Sequence, residues 1–287
     1  MVSGANAHRI GTVIGNRFRL DELIGRGAMA EVYRALDAQT SAYVAVKILR
    51  HTHVTDATSL ARFAREADVQ ARLRHRNVAA LLATGVTETK EPYLAVELLR
   101  GKSLRGVIKG EGRVSPRRAA SYAWQALQGL SAVHAAGIHH RDLKPANIML
   151  EPSPGPIERV VLIDFGFATF EGSAKLTQQG TVVGSLTYIA PERLRGEETD
   201  HRADLYAMGV ILFELLTGQP VFSASDDFDL VDMHVNADPP HLQAIDPAFP
   251  AALDAVVQRS LAKYPADRFA TAAEMADALE HAAQYLG

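Results

Sequence analysis

The 287-residue chain contains no cysteine, which excludes disulfide staples, thiolate-bound metals and cysteine nucleophiles together. It lacks an excess of positive charge: 30 Lys and Arg against 33 Asp and Glu leave a formal net charge of -3. Phosphate neutralisation therefore does not drive it onto nucleic acid, and no nucleic-acid partner is expected. No apolar run approaches the roughly 20 residues that span a bilayer, and Met1–Asn16 lacks the apolar core of a secretion signal. The expectation is a cytoplasmic protein with no membrane segment. Internal repeats and low-complexity tracts are missing too. What the chain does have is 47% hydrophobic residues, enough to bury one large core or two lobes.

Residues 1–16, rich in Gly, Ala and Asn, read as a flexible lead-in. From Phe18 to Leu49 the pattern is strand-like, and in Val44-Ala45-Val46-Lys47-Ile48-Leu49 the period of two puts Ala45 and Lys47 on one face. A helix is predicted over Ser59–Leu73, with Phe63, Glu66, Ala67, Gln70 and Leu73 sharing a face. Leu81-Leu82-Ala83 and Tyr93-Leu94-Ala95-Val96 read as strands, and Glu97–Gly101 as a connector. The second part is predicted helical. Ser115-Pro116 supplies an N-cap and a first-turn proline for a helix ended by Gly137. Ala203–Leu216 is apolar almost all round, which marks a buried central helix closed by Gly218. Thr271-Ala272-Ala273-Glu274 is a capping box that opens the last helix. Pro152, Pro154, Gly155 and Pro156 make a stiff turn between two short strands.

Chemistry concentrates in His140-Arg141-Asp142-Leu143-Lys144-Pro145-Ala146-Asn147. That run offers a carboxylate to orient a hydroxyl, a cation for phosphate and an amide for a metal. Downstream, the apolar strand Val160-Val161-Leu162-Ile163 ends in Asp164-Phe165-Gly166. Upstream, Val44-Ala45-Val46-Lys47 is preceded by the loop Gly25-Arg26-Gly27, where the missing side chains let backbone approach phosphate closely. In this order and at these separations the set resembles the eukaryotic-type serine/threonine protein kinases, of the bacterial kind. The resemblance runs from about Phe18 to Leu279.

The resemblance implies an α+β, two-lobed kinase-like fold. Its N-lobe, 17–99, is a small antiparallel sheet with one main helix, and its C-lobe, 100–283, is larger and mostly helical. It implies transfer of the ATP γ-phosphate to serine or threonine hydroxyls of protein substrates. Asp142 would receive the hydroxyl's proton, and Lys144 would stabilise charge on the transferred group. Lys47 would hold phosphates and pair with Glu66. Asn147 and Asp164 would bind Mg²⁺, with Mn²⁺ as a substitute. Gly25 and Gly27 would cover the nucleotide, with Ala30 where the family usually has a third glycine. Val32, Ala45, Val96 and Met149 fall where the family encloses adenine, and backbone groups of Glu97 and Leu99 would serve its edge. Lys144 and Ser185 match the serine/threonine branch.

The segment from Asp164 to Glu192 reads as an activation segment closed by Ala190-Pro191-Glu192. Arg268, within Pro265-Ala266-Asp267-Arg268-Phe269, is the expected ion-pair partner of Glu192. Asp204 is expected to be a buried carboxylate accepting catalytic-loop N–H groups. Arg141 makes loop phosphorylation useful, since a guanidinium can clamp a phosphate, and autophosphorylation is expected at one or both of Thr177 and Thr181. Gln70 departs from the family, which places an apolar side chain there. Its amide needs a partner, and the expectation is a loosely held helix that a homodimer contact or a ligand helps to set. His139 and His140 raise a metal question, but adjacent histidines point opposite ways and no third ligand has suitable spacing. Ala146 stands where arginine-directed kinases often carry an acid, so no preference for basic peptides is expected. Two rival functions share parts of the pattern. A pseudokinase scaffold usually loses Lys47, Asp142 or Asp164, all present here. Aminoglycoside- or choline-type phosphotransferases lack the Ala-Pro-Glu segment.

Overall fold

Strand β4 (Tyr43–Leu49) is buried along nearly its whole length rather than at every second residue, because each face has its own apolar cluster. Val44, Val46 and Ile48 pack with Phe18, Leu20, Tyr33 and Tyr93 on one face. Leu49 joins Ala30, Leu94 and Phe63 on the other, with Leu60 and Ala67 beside them. A computed structural model describes residues 9–155, 157–164 and 186–286. Phe165, Gly166, Thr177, Thr181 and Ser185, and so the expected acceptor threonines, lie outside the described residues. The chain divides into two compact units, Met1–Arg100 and Gly101–Gly287.

The first unit is a six-stranded sheet in the order β1-β2-β3-β4-β6-β5, antiparallel throughout. Its other strands are β1 (Val13–Ile14), β2 (Phe18–Arg26), β3 (Ala30–Asp37), β5 (Leu81–Val86) and β6 (Pro92–Glu97). One long helix, α1 (Ala57–Arg72), links β4 to β5. It starts two residues before the predicted Ser59 because Asp56 caps it, accepting from Thr58 N at 3.2 Å and Ser59 N at 3.1 Å. Gln70 is 4% exposed and its Oε1 meets no partner among the described residues. An orphaned buried oxygen costs about 1–3 kcal/mol, so this turn of α1 carries the local penalty expected of an amide there.

The second unit is largely helical. A short ladder, β7 (Lys102–Ser103), β8 (Ile148–Glu151) and β9 (Arg159–Leu162), lies beside α2 (Leu104–Glu111) and α3 (Pro116–Ala135). Then come α4 (Pro191–Leu194), α5 (Arg202–Thr217), α6 (Asp227–Asn236), α7 (Leu242–Ile245), α8 (Ala251–Ser260) and α9 (Ala272–Ala283). Helix α5 is the predicted central helix, buried at every residue from Asp204 to Leu216. Gly218 closes it in the left-handed region at φ 74°, where a Cβ would sit 3.1 Å from Arg113 N. The capping box of α9 is displaced by one residue. Thr271 Oγ1 accepts from Glu274 N, but the Glu274 carboxylate takes Ala270 N at 2.6 Å in place of Thr271 N.

One buried histidine makes the second unit sensitive to acid. His234 on α6 is 1% exposed, lies 2.9 Å from the Tyr206 hydroxyl and meets the Phe222 ring edge-on. Burial, then the nearby Lys263 ammonium, depress its pKa to about 4 from 6.5. Between those values the unfolded chain binds the extra proton, so stability is full above pH 6.5 and falls as pH drops towards 4. The loss should be on the order of 2 kcal/mol by pH 5. Urea denaturation at pH 7 and pH 5 measures it, and a His234→Leu protein should show a flatter response. The same pH dependence in both proteins would assign it elsewhere.

Candidate active site

In the first unit, β4 is an interior strand whose Lys47 lies opposite Val32 on β3 and Leu94 on β6. Its Nζ reaches Glu66 Oε1 on α1 at 2.6 Å, with side chains 21% and 14% exposed. Strand register sets the lysine and helical spacing sets the glutamate, so the pair brings together residues 19 positions apart. Gly25 lies in β2 opposite Val32, and Gly27 opens the β2–β3 turn, where Gly27 N donates to Ala30 O at 2.9 Å. Neither glycine has a positive φ, and a Cβ on either would find its nearest neighbour at 3.5 Å. The hairpin itself thus tolerates side chains at both positions, and glycine there leaves room above the strand for something else. Ala45 lies opposite Val96, on the face that also carries Lys47. Glu97 N donates to Ala80 O at 3.0 Å, which ties the end of β6 to the segment before β5. Val32 and Leu99 are half-buried in this unit.

In the second unit the polar groups gather around Asp142. Lys144 Nζ donates to Asp142 Oδ2 at 2.8 Å, and Asn147 Nδ2 donates to the same oxygen at 3.1 Å and to Asp142 O at 2.8 Å. Those bonds occupy the Asn147 amide nitrogen, and its Oδ1 is the atom of that side chain with acceptor lone pairs. Antiparallel pairing of Ile148 with Leu162, continued by Ile163 N on Asn147 O at 3.0 Å, brings Asn147 to the end of the ladder where Asp164 follows. Asp164 is exposed and held at φ 51°. Met149, one residue into β8, pairs with Val161 and Ser103.

Beneath this loop Asp204 is 2% exposed. It accepts His140 N at 2.8 Å, Arg141 N at 2.9 Å and His134 Nε2 at 2.9 Å. Burial alone would raise its pKa. The hydrogen bond from His134, with that from the Arg141 N–H, brings it below the usual carboxylate range instead. Arg141 sits at φ 64°, a left-handed conformation that a non-glycine residue keeps only when its surroundings hold it. The two N–H bonds to Asp204 and the Arg193 guanidinium on Arg141 O supply that hold. Arg268 meets Glu192 in a fully buried bidentate pair at 2.8 and 2.6 Å. Sequence reasoning named Asp204, Glu192 and Arg268 but missed His134 and Arg193, whose roles depend on which loop they face rather than on a local pattern.

The sequence profile described as "Protein kinase domain" matches residues 18–282. The probable serine/threonine-protein kinase PknB of Corynebacterium glutamicum is 38% identical, over 95% of this chain and 44% of its own length. The serine/threonine-protein kinase PknB of Mycobacterium tuberculosis is 39% identical, over 91% of this chain and 42% of its own. Pkn3 of Myxococcus xanthus is 38% identical, over 92% and 49%. The chain therefore spans less than half the length of these curated relatives. A crystal structure of the Mycobacterium tuberculosis PknI kinase domain superposes with a TM-score of 0.74 at 27% identity, covering 96% of this chain and 98% of that one.

Proposed function

This chain belongs to the protein kinase domain family, and from that premise we propose that it transfers the γ-phosphoryl group of ATP to serine or threonine hydroxyls of proteins. The observation that carries the reading is the convergence of Lys144 and Asn147 on the Asp142 carboxylate. Phosphoryl transfer asks a protein mainly to position groups and neutralise charge, and each conserved task has a candidate here. Asp142 aligns the acceptor hydroxyl and takes its proton late. Lys144 balances charge on the transferred group. Lys47, steadied by Glu66, holds the nucleotide's phosphates beneath the hairpin of Gly25 and Gly27. Val32, Ala45, Val96 and Met149 enclose the adenine, and the Glu97 and Leu99 backbones meet its edge.

The family uses a divalent ion, and we assign it as Mg²⁺, with Mn²⁺ as a substitute. Asn147 Oδ1 and the Asp164 carboxylate are hard oxygen donors of the kind Mg²⁺ takes, and the ion would neutralise phosphate charge there. No described helix is long and apolar enough to cross a membrane, and the need for ATP places the domain in the cytoplasm. Autophosphorylation at Thr177 or Thr181, with Arg141 as the clamp, and a homodimer as the activating assembly complete the proposal.

Labelled-phosphate transfer from Mg-ATP, to the protein itself and to a generic protein substrate, tests it. Lys47→Met should abolish most incorporation, while intact-mass analysis of the wild type should show added phosphate. Incorporation by Lys47→Met equal to that of the wild type would overturn the assignment of roles.

A further inference from the structure

His139 has no place in the phosphoryl-transfer scheme, yet the fold surrounds it with two more histidines. The end of α3 supplies His134 and the N-cap of α5 supplies His201. The three ring centroids are separated by 5.2 Å (His134 to His201), 6.1 Å (His139 to His201) and 6.2 Å (His134 to His139). Imidazole nitrogens bind Zn²⁺ at about 2.0–2.1 Å, which places the rings of a shared three-histidine site about 5–6 Å apart. All three separations are close to that value.

The hydrogen bonds of two rings also prepare them. His134 Nε2 lies 2.9 Å from the Asp204 carboxylate and His201 Nε2 lies 2.7 Å from Ala270 O. Both partners are acceptors, so in each ring Nε2 carries the proton and Nδ1 keeps its lone pair in the neutral imidazole. A carboxylate or carbonyl on the far nitrogen is the outer support that metal-binding histidines use to fix their tautomer. His134 is 10% exposed and among the described residues its Nδ1 has no partner, the kind of orphan that calls for an unseen ligand or water. Among the described residues neither nitrogen of His139 makes a hydrogen bond, so its ring can turn without breaking one.

We propose that His134, His139 and His201 form a binding site for a borderline divalent transition metal of the Zn²⁺ class, separate from the Asn147 and Asp164 pair. Among the described residues no three such donors already meet around a common point, and rotation of the His139 ring is the step that closes the set. Imidazole ligands select Zn²⁺, Co²⁺, Ni²⁺ or Cu²⁺ over Mg²⁺. The ion would act on the loop at one remove, because Asp204 holds both His134 and the backbone of His140 and Arg141.

Sequence spacing hid the site. His134 and His139 lie within one stretch, but His201 enters from a helix more than sixty positions later.

Titration with Co²⁺, without ATP, without a histidine tag and with excess Mg²⁺ to fill oxygen sites, tests the proposal through the ion's visible absorption. The wild type should take up one equivalent, with the intense bands of a low-coordinate histidine site, and Zn²⁺ should displace it. His139→Ala and, independently, His201→Ala should weaken uptake by more than about 100-fold, beyond what loss of an outer-shell partner costs. Both variants should keep the metal-free melting temperature of the wild type. No stoichiometric uptake by the wild type, or uptake unchanged in either variant, overturns the site.

Discussion

Asp142→Asn is expected to lower kcat by about 10²–10⁴-fold, the usual worth of a positioned acid or base, while leaving KM for ATP nearly unchanged. Asparagine keeps the size and one acceptor oxygen of aspartate, so Lys144 and Asn147, now at 2.8 and 3.1 Å from Asp142 Oδ2, retain a partner. What it loses is the negative charge that balances the Lys144 ammonium and that is proposed to draw the hydroxyl's proton. The side chain is 28% exposed, so the fold should not register the change, and the melting temperature should match that of the wild type. Nucleotide affinity should hold because the residues proposed to grip ATP lie elsewhere in the chain. An interaction made only in the transition state lowers kcat and kcat/KM together. Steady-state kinetics with a protein substrate, paired with a melting curve, separates these outcomes. A kcat within about threefold of the wild type would remove Asp142 from the chemistry.

Residues whose role is fixed by local pattern were legible in the sequence. Lys47 and Glu66 are on the page as a strand lysine and a helix glutamate, and their 2.6 Å contact follows once α1 packs against the sheet. Helix α5 announced itself because a segment apolar on every face has nowhere to go but the interior, and Asp204 stood out as a carboxylate inside it. Helix ends were less legible. Asp56 caps α1 ahead of the expected start at Ser59, and Glu274 reaches past Thr271 to Ala270, since either partner satisfies an orphan N–H. Histidine roles were the least legible. Sequence spacing offered His139 no third ligand because its neighbours His134 and His201 are assembled by the fold, and His134 acquires its meaning only through Asp204. Backbone recognition at Glu97 and Leu99 writes no side-chain signature, so family resemblance carries those two positions alone.

The largest effect on stability should come from Arg268→Ala, a loss of about 3–5 kcal/mol. Arg268 and Glu192 have side chains 0% and 1% exposed, so removing the guanidinium strands a carboxylate where water cannot reach it. The cost extends beyond that charge. Arg268 Nε donates to Ala262 O at 2.8 Å, Nη1 to Arg202 O at 3.1 Å and Nη2 to Lys263 O at 3.3 Å. It also lies 4.9 Å from the centre of the Tyr206 ring. One side chain therefore ties α4, the start of α5 and the segment after α8, and its loss removes a donor from three carbonyls as well as stranding Glu192. Arg268→Lys should recover only part of the stability, because an ammonium cannot reproduce the planar bidentate fork. The double variant Arg268→Met, Glu192→Leu should also recover part, since removing both charges spares the unpaired carboxylate but not the carbonyls. Urea denaturation of the four proteins gives the ordering directly. An Arg268→Ala midpoint equal to that of the wild type would show that this pair contributes nothing to holding the second unit together.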